Sequence, residues 1–413
     1  MLKGVKLKLK LKPDQIVLFD KHANDCRGIY NFALRAKIDH YEKTGNTLSY
    51  YDLQDMLPFI KSLPEYAWIK SCESTCIQQS IRNCDQAFQN FFNSLNGTRA
   101  GRPVGFPNFK KKGQCKHSFT MTNTSNSIDT TRDGFLKIPK IGLVKVWSGS
   151  KRVKLVNGKG VIKRATFSKD SDGCWYASLI IDTAPFDRAN APPKYASTGA
   201  TDGMDVGIKT TATFKVACFD LPEKIKKLEK KRDKLNRELH RKKLGSKNRE
   251  KVRAKLSKCY YTIAQIRKNF MHQVSHLVAK HIDILTVETL DIQAMMKNRN
   301  LAASIGRQGW YMLITFLKYK LEDSNRSDNR KVFIQVDKSF PSTKLCSTCG
   351  YLKPKIALSI RDWICPSCNT IHNRDQNAAK NLDNVSRWFR LTDEMITSKK
   401  NYIKSISPNL GTF

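Results

Sequence analysis

Acidic residues are scarce in this sequence of 413 residues, in which 36 Asp and Glu face 74 Lys and Arg. The formal net charge is +38. Positive side chains in such excess repel one another unless a bound polyanion compensates their charge. The phosphate backbone of a nucleic acid is the usual partner. Hydrophobic residues still make up 40% of the chain, which excludes a largely disordered protein. The composition therefore predicts a folded, multidomain protein that binds nucleic acid.

Long apolar runs are absent as well. A membrane-spanning helix needs about 18 or more consecutive apolar residues, and the sequence contains no such run. The opening MLKGVKLKLKLKPDQ alternates apolar and basic residues and lacks the continuous apolar stretch of a secretory signal, so it predicts a strand. We therefore expect a soluble protein of the cytoplasm with no membrane partner.

Most of the 12 cysteines follow no framework spacing, which predicts buried or free thiols in a reducing compartment. The remaining four form the pattern Cys346-x2-Cys349 and Cys365-x2-Cys368, which has the spacing of a zinc ribbon. Four thiolates complete a tetrahedral shell, so the predicted Zn²⁺ is structural and His372 is not needed as a ligand. The cysteines outside the pattern are Cys26, Cys72, Cys76, Cys84, Cys115, Cys174, Cys218 and Cys259.

The order of the predicted elements divides the chain. Apolar residues recur at helical spacing between about Pro13 and Phe92. Short alternating strands on both sides of this helical segment predict a small β-barrel that the helices interrupt. After the linker NAPPKYASTGATD, the order strand, helical hairpin, strand, helix, strand, helix predicts an α/β domain.

Two basic regions are candidates for nucleic-acid contact. The predicted hairpin carries seventeen Lys and Arg against five acids over residues 222–258. Two interpretations fit this basic run. It is either a helix face exposed to solvent or a surface that lies along the backbone of a nucleic-acid duplex. The loop GRPVGFPNFKKKG and its surroundings interleave basic and aromatic residues, and solvated loop lysines are the alternative there. The predicted phosphate contacts are Arg102, Lys110, Lys111, Lys112 and Lys116.

Three acids occupy positions where a catalytic site is expected. Asp205 lies in an otherwise apolar strand, Glu288 ends the apolar run ILTVE, and Asp375 begins a predicted helix. Helix caps and salt bridges explain most acids of this kind when each is taken alone. Together, at the rim of one α/β sheet, they could hold two Mg²⁺ ions for phosphodiester hydrolysis.

Several blocks of the sequence, in order, closely resemble the TnpB family, the RNA-guided nucleases of bacterial and archaeal insertion sequences, also called OrfB transposases. These blocks include GMDVGIKTTAT, ILTVETLDIQAM, VDKSFPSTKLCSTCG and RDWICPSCNTIHNRDQNAAKNL. Blocks of the N-terminal half, such as RGIYNFALRAK and GRPVGFPNFKKKG, resemble the family too. The resemblance spans all but about the last twenty residues.

The resemblance implies a RuvC-like nuclease of the RNase H fold with Asp205, Glu288 and Asp375 as its three acidic motifs. It also implies a guide RNA from the transposon end, double-stranded target DNA next to a short motif, and a nucleoid-associated location. The implied organisation is multidomain α+β. Its parts are a β-barrel wedge domain (1–12 and 93–195), a helical recognition domain (13–92), the nuclease domain (196–340 and 371–395) with a basic hairpin (221–281), a four-cysteine zinc ribbon (341–370), and a tail (396–413) whose terminal position allows disorder.

Three other interpretations remain open on the residues. A compact type V CRISPR effector shares the same fold and motifs, and a neighbouring repeat array would distinguish it from a transposon protein. A non-cleaving, RNA-guided regulator would be expected to lack one or more of the acids, all of which are present here. A transposase that joins DNA ends is chemically possible, although the family resemblance assigns strand transfer to a separate protein. The sequence does not fix the oligomeric state.

Overall fold

A computed structural model of the chain describes residues 2–132, 134–147, 160–182, 194–324, 329–357 and 360–406. The chain divides into an N-terminal unit, Met1–Ala191, and a C-terminal unit, Pro192–Phe413. The boundary falls within the predicted linker NAPPKYASTGATD. None of the described helices is long and apolar enough to cross a membrane.

The N-terminal unit contains a seven-stranded antiparallel sheet with the strand order β2-β6-β7-β1-β5-β4-β3. Buried and exposed residues alternate along these strands, in agreement with the alternation of apolar and polar residues from which the strands were predicted. The strands are β1 (Leu2–Lys10), β2 (Ser118–Thr122), β3 (Asp129–Arg132), β4 (Phe135–Ile138), β5 (Gly142–Val146), β6 (Val161–Lys169) and β7 (Trp175–Asp182).

This sheet does not close into the predicted barrel. Strand β1 pairs with β7 from Leu2 to Lys8 and with β5 only at Leu9 and Lys10, so it joins two subsheets at its end. Within the described residues, no strand pairing joins the outer strands β2 and β3. The prediction of a closed barrel is therefore wrong for this part of the chain. An alternating pattern is the same in an open sheet and in a barrel, so the sequence could not distinguish them.

Helices cover this sheet and share its hydrophobic core. Phe19 of the first helix meets the rings of Phe119, Phe167 and Trp175 edge-on, with centroids 5.1–5.5 Å apart. The predicted wedge and recognition domains thus pack as one unit around one core. The helices are α1 (Pro13–Thr44), α2 (Tyr50–Asp55), α3 (Leu57–Ser62), a 3₁₀-helix (Pro64–Ser71) and α4 (Ser74–Leu95).

The C-terminal unit is built on a five-stranded mixed sheet with the strand order β10-β9-β8-β11-β12. Strand β11 runs parallel to both of its neighbours, β8 and β12, whereas β9 and β10 are antiparallel. The α/β prediction is confirmed for this unit. The strands are β8 (Thr201–Asp205), β9 (Ala212–Phe214), β10 (Cys218–Phe219), β11 (Ile284–Glu288) and β12 (Val332–Val336), and a separate two-stranded hairpin consists of β13 (Asp362–Ile364) and β14 (Ile371–Asn373).

The two faces of this sheet are covered by different helices. The predicted hairpin is present as α5 and α6, joined by an apolar seam that includes Ile225, Leu235 and Val252. Residues of α6 and α9 pack with Met204, Leu285 and Val287 on one face. The helices are α5 (Glu223–Arg241), α6 (Lys247–His281), α7 (Ile292–Met295), α8 (Arg299–Gln308), α9 (Trp310–Glu322) and α10 (Arg374–Ile406).

Helix α10 covers the opposite face and lies almost in backbone contact with β8. A Cβ atom at Gly203 would meet the Ala379 carbonyl oxygen at 2.2 Å and the Asp383 nitrogen at 2.4 Å. Buried polar groups fix the register of this contact. The Thr201 hydroxyl donates to Asp383 at 2.7 Å, and the hydroxyls of Thr286 and Ser386 are 2.7 Å apart. Only glycine allows the helix to lie this close.

Helix α10 also changes the predicted C-terminal boundary. The helix continues to Ile406, so residues 396–406 of the predicted tail are helical. Residues 407–413 lie outside the described residues.

We predict that Gly203→Ala destabilises the protein by about 3 kcal/mol or more, because the added methyl group overlaps the backbone of α10. Chemical unfolding of the full chain measures the change. Gly306→Ala is the matched control: it lies in α8, its Cβ would have its nearest neighbour, Met296 Cε, at 3.7 Å, and it should be neutral or slightly stabilising. Equal stability of the two variants would show that α10 does not need this close approach.

Candidate active site

The three predicted acids come from elements that meet at one edge of the C-terminal sheet. Asp205 ends β8 and Glu288 ends β11, and these strands are parallel neighbours with Met204 opposite Val287. Side chains alternate along a strand, so Asp205 points to the same face as Gly203, the face that α10 covers. Asp375 lies in the first turn of α10. The fold therefore brings the three acids together beneath the start of this helix.

Electrostatics supports this convergence. The Asp205 side chain is almost completely buried, with 7% of its residue surface exposed. Burial raises the pKa of the Asp205 carboxyl well above its ordinary value, and the negative charges of Glu288 and Asp375 raise it further. The backbone N–H of Val206 and the charge of Arg374 oppose this rise only in part. A site of this kind favours a bound cation, which would relieve the repulsion.

The other two acids each have a partner that the sequence analysis did not identify. The Arg361 guanidinium donates to both Asp375 carboxylate oxygens at 2.9 Å. The Ser342 hydroxyl donates to Glu288 Oε1. Both partners lie outside the strands and helices that carry the acids, although Ser342 lies in the block VDKSFPSTKLCSTCG and Arg361 opens the block RDWICPSCNTIHNRDQNAAKNL. No local pattern in the sequence indicates these contacts, which depend on the fold.

Two asparagines of α10 attach the loop before the first cysteine pair to this site. The Asn377 amide donates to the Leu345 carbonyl at 2.7 Å and accepts from the Ser347 N–H at 3.0 Å. Asn381, one turn later, donates to the carbonyls of Ser342 and Leu345, both at 2.7 Å. The spacing of four residues in NRDQNAAKNL places both amides on one helix face, which is a signal the sequence analysis could have used.

The four predicted cysteines form one cluster. The sulfur atoms of Cys346, Cys349, Cys365 and Cys368 all lie within 4.8 Å of one another. Each Cys-x2-Cys turn is closed by a backbone hydrogen bond, from Gly350 to Cys346 at 3.0 Å and from Asn369 to Cys365 at 2.9 Å. Both closing residues have positive φ, 76° for Gly350 and 57° for Asn369. Glycine and asparagine tolerate this conformation best.

The cluster is compact enough to surround one metal ion. Two sulfur pairs, Cys346 with Cys368 and Cys349 with Cys365, are each 3.6 Å apart. A tetrahedron with zinc–sulfur bonds of about 2.3 Å has edges of about 3.8 Å, so these two pairs match its edges closely. His372 Nε2 lies 3.0 Å from Cys346 Sγ, the distance of a hydrogen bond to the sulfur. The four cysteines are therefore compatible with zinc, with His372 as a supporting group.

The cysteine segment lies next to the third acid. Arg361, which binds Asp375, immediately precedes β13. Strand β14 ends at Asn373 and α10 begins at Arg374. The segment that holds the cysteines thus contacts the acid directly and runs into its helix.

The predicted phosphate contacts differ in their surroundings. Arg102, Lys111, Lys112 and Lys116 are exposed. Lys110 is half-buried, and its ammonium lies 3.5 Å from the ring centroid of Tyr30. The backbone of Lys110 is also held by the Asn31 side chain at 2.8 and 3.0 Å. Lys110 therefore has a packing role, whereas the other four side chains are accessible.

Three family models match separate parts of the chain. The OrfB IS605 model, described as "Probable transposase", matches residues 185–299. The "Cas12f1-like, TNB domain" model matches 310–382, and the OrfB "Helix-turn-helix domain" model matches 1–46. The first match contains Asp205 and Glu288, and the second contains Asp375 and the four cysteines. The chain belongs to the TnpB family.

Curated relatives match this TnpB-family chain over most of their length. A "Putative RNA-guided DNA endonuclease" of Streptomyces pristinaespiralis is 29% identical over 359 residues, which cover 86% of this chain and 82% of the relative. Its Escherichia coli K12 counterpart, InsQ, is 26% identical and covers 96% of this chain and 95% of the relative. Among solved structures, the "mini-RNA-guided endonuclease CRISPR-Cas phi3" covers 94% of this chain and 92% of its own, with 10% identity and a TM-score of 0.45.

We predict that Asp205→Asn stabilises the metal-free protein at neutral pH. The pKa of Asp205 in the folded state lies above the unfolded value of about 3.9. Between these two values the folded protein binds more protons than the unfolded chain, so the free energy of unfolding falls as the pH rises through this window. The free energy of unfolding of Asp205→Asn should therefore exceed that of the wild type most at pH values above the folded-state pKa of Asp205. This difference should disappear as the pH approaches about 4.

Urea unfolding in the presence of EDTA, repeated across this pH range, measures the difference. Asp220→Asn is the control, because it removes an exposed carboxylate from the same unit and should change stability by less than about 0.5 kcal/mol. A wild type as stable as Asp205→Asn at neutral pH would argue against a buried, like-charged environment for Asp205.

Proposed function

We propose that this chain is an RNA-guided DNA endonuclease of RuvC-like type that cuts DNA by metal-dependent phosphodiester hydrolysis. The observation that carries the proposal is the convergence of Asp205, Glu288 and Asp375 at one sheet edge, with the buried Asp205 under repulsion from the other two. The names of the curated relatives support the same activity. The intact acids favour a cleaving enzyme over a non-cleaving regulator.

Asp205, Glu288 and Asp375 would hold Mg²⁺, as the pair of ions expected from the sequence, because hard carboxylate oxygens are its preferred protein ligands. When bound, such ions supply an activated water and stabilise the leaving oxygen. Asp205 provides a carboxylate fixed by burial. Ser342 orients Glu288, and Arg361 holds Asp375 through two hydrogen bonds at 2.9 Å. Each Asp375 oxygen keeps a second lone pair beside its hydrogen bond to Arg361, and that lone pair would be available to a metal ion.

The four C-terminal cysteines would bind one structural Zn²⁺. Four thiolates leave no open coordination position, so this metal supports the fold and takes no part in the reaction. Its role is to hold the segment that carries Arg361 against Asp375 and to fix the entry into α10. The zinc ribbon thus acts as a positioning element for the third acid.

The nucleic-acid partners are a guide RNA, which we assign to the transposon end, and a double-stranded target. In such systems base pairing supplies the sequence specificity, and the protein contacts phosphates and reads a short motif. The net charge of +38 and the exposed side chains of Arg102, Lys111, Lys112 and Lys116 support this role. The basic hairpin of α5 and α6 presents a second positive surface.

The decisive experiment is to purify the protein after co-expression with its genomic 3′ flank, sequence the RNA that accompanies it, and supply Mg²⁺ and a matched plasmid library. We expect cleavage beside one short motif that depends on this RNA. Asp205→Ala should lower cleavage by about 10³-fold or more while guided binding persists, because it removes a metal ligand. Asp220→Ala should leave both unchanged.

Other outcomes would replace this proposal. Specific RNA and target binding with no cleavage by the wild type would indicate a regulator. Absence of any specific RNA would refute RNA guidance. Guides that derive from a repeat array rather than the transposon end would indicate a CRISPR effector.

We predict that Cys365→Ser removes the C-terminal zinc and loosens the neighbourhood of Asp375. Cys365 is completely buried, and serine is a poor zinc ligand at neutral pH. Exchange of the backbone amide hydrogens should accelerate across residues 345–375. The rate of DNA cleavage should fall in the same variant. Cys218→Ser, at an exposed cysteine outside the cluster, is the matched control. Unchanged exchange in Cys365→Ser would contradict a structural metal at this position.

A further inference from the structure

Three more cysteines form a second sulfur cluster, inside the N-terminal unit. The Sγ atoms of Cys26, Cys72 and Cys76 all lie within 4.8 Å of one another. The residues are 6%, 2% and 0% exposed. All three are free thiols rather than disulfides. Structural cysteines buried singly are common, but three sulfur atoms converging on one point form a ligand set.

Three separate elements bring these sulfurs together. Cys26 lies within α1, Cys72 directly follows the 3₁₀-helix, and Cys76 lies in the first turn of α4. Cys72 and Cys76 form a Cys-x3-Cys pair, but Cys26 is distant in the sequence and no second pair follows at the spacing of a zinc ribbon, so the sequence predicts only ordinary thiols here.

A histidine of the same core has the properties of a fourth ligand. His22 is 2% exposed and lies one helical turn before Cys26, on the same side of α1. It is close enough to Cys72 to interact with it electrostatically. Its ring nitrogens lie outside the group of sulfur atoms that are within 4.8 Å of one another, so the imidazole must move toward the sulfurs to complete a metal shell. Its Nδ1 lies 2.9 Å from the Leu18 carbonyl oxygen and must donate to it. This contact leaves Nε2 as the nitrogen with a free lone pair, and Nε2 is buried with no hydrogen-bond partner among the described residues.

A hydrogen bond from one imidazole nitrogen to a backbone carbonyl is the usual way in which a protein orients a metal-binding histidine. We propose that Cys26, Cys72, Cys76 and His22 bind one structural Zn²⁺ in the N-terminal unit. Three thiolates and one neutral imidazole form a closed four-coordinate shell, which is a standard structural zinc set. The metal gives the unpartnered nitrogen and the three sulfurs a common partner.

The surroundings suit such a complex. Zn²⁺ with three thiolates carries one net negative charge, and the Lys140 ammonium donates to the Cys72 carbonyl at 2.8 Å and to the Lys70 carbonyl at 3.3 Å. The 3₁₀-helix already packs on α1, where a Cβ at Gly28 would meet the Trp68 ring at 2.9 Å. The metal would fasten this 3₁₀-helix and the start of α4 to α1. It is separate from the proposed nuclease chemistry.

Elemental analysis of the purified full chain by mass spectrometry tests the proposal. We expect about two zinc atoms per chain, one in each cluster. Cys72→Ser and His22→Ala should each lower the content by about one atom. Cys84→Ser, which changes a buried cysteine of α4 outside the cluster, should keep both. Cys365→Ser should lose only the C-terminal atom, so that failure of one site is distinguishable from failure of the other.

A second measurement does not depend on the folding of N-terminal variants. The double variant Cys365→Ser/Cys368→Ser leaves only two cysteines in the C-terminal cluster, too few with His372 for a four-coordinate shell of protein ligands. Reconstituted with Co²⁺, it should retain a thiolate charge-transfer absorption and the visible bands of tetrahedral cobalt. No bound zinc or cobalt in this double variant, with the N-terminal unit still folded by hydrogen exchange, would overturn the proposal. An intact mass lower by two hydrogens that is restored by reductant would also overturn it, by showing a disulfide among the three cysteines.

Discussion

The close contact between β8 and α10 at Gly203 is the constraint on which the candidate active site depends. Because a Cβ at Gly203 would lie 2.2 Å from a carbonyl oxygen of α10, the helix can dock only where the strand has no side chain. This contact sets the height of α10 above the sheet and therefore the position of Asp375. Asp383, with 1% of its surface exposed, fixes the axial register through Thr201 and Lys215. A site assembled from distant segments needs such an anchor, since sub-ångström placement of its groups requires rigid support.

The same packing explains how a strongly basic protein concentrates negative charge at one point. Alternation along β8 and β11 directs Asp205 and Glu288 toward the helix-covered face, and α10 adds Asp375. The repulsion among them opposes folding, and Arg361 and Ser342 offset part of it by binding the two more accessible acids. The cost is consistent with a site selected for cation binding rather than for stability.

The sequence predicted those parts of the site that depend on local pattern. Acids at strand ends and two Cys-x2-Cys pairs are visible without a structure, because strand ends and tight turns are local features. The contacts of Arg361, Ser342 and Asn381 are not visible, because each joins segments that only the fold brings together. The predicted barrel is not found among the described strands for a related reason: closure depends on which outer strands pair, and alternation does not encode that pairing.

The two cysteine clusters differ in how much hydrophobic core surrounds them. The C-terminal cluster lies beside a hairpin of two three-residue strands, and its hydrophobic core contains few residues besides the cysteines and Trp363. A segment of this size buries too little apolar surface to stay ordered alone, and a metal can replace the missing core. The N-terminal cluster lies inside the large core of its unit, and only Cys72 follows a 3₁₀-helix, whose hydrogen-bond geometry is poorer than that of an α-helix. Loss of the proposed C-terminal metal should therefore disorder its own segment, whereas loss of the proposed N-terminal metal should act mainly on the 3₁₀-helix, because α1 and α4 keep their core.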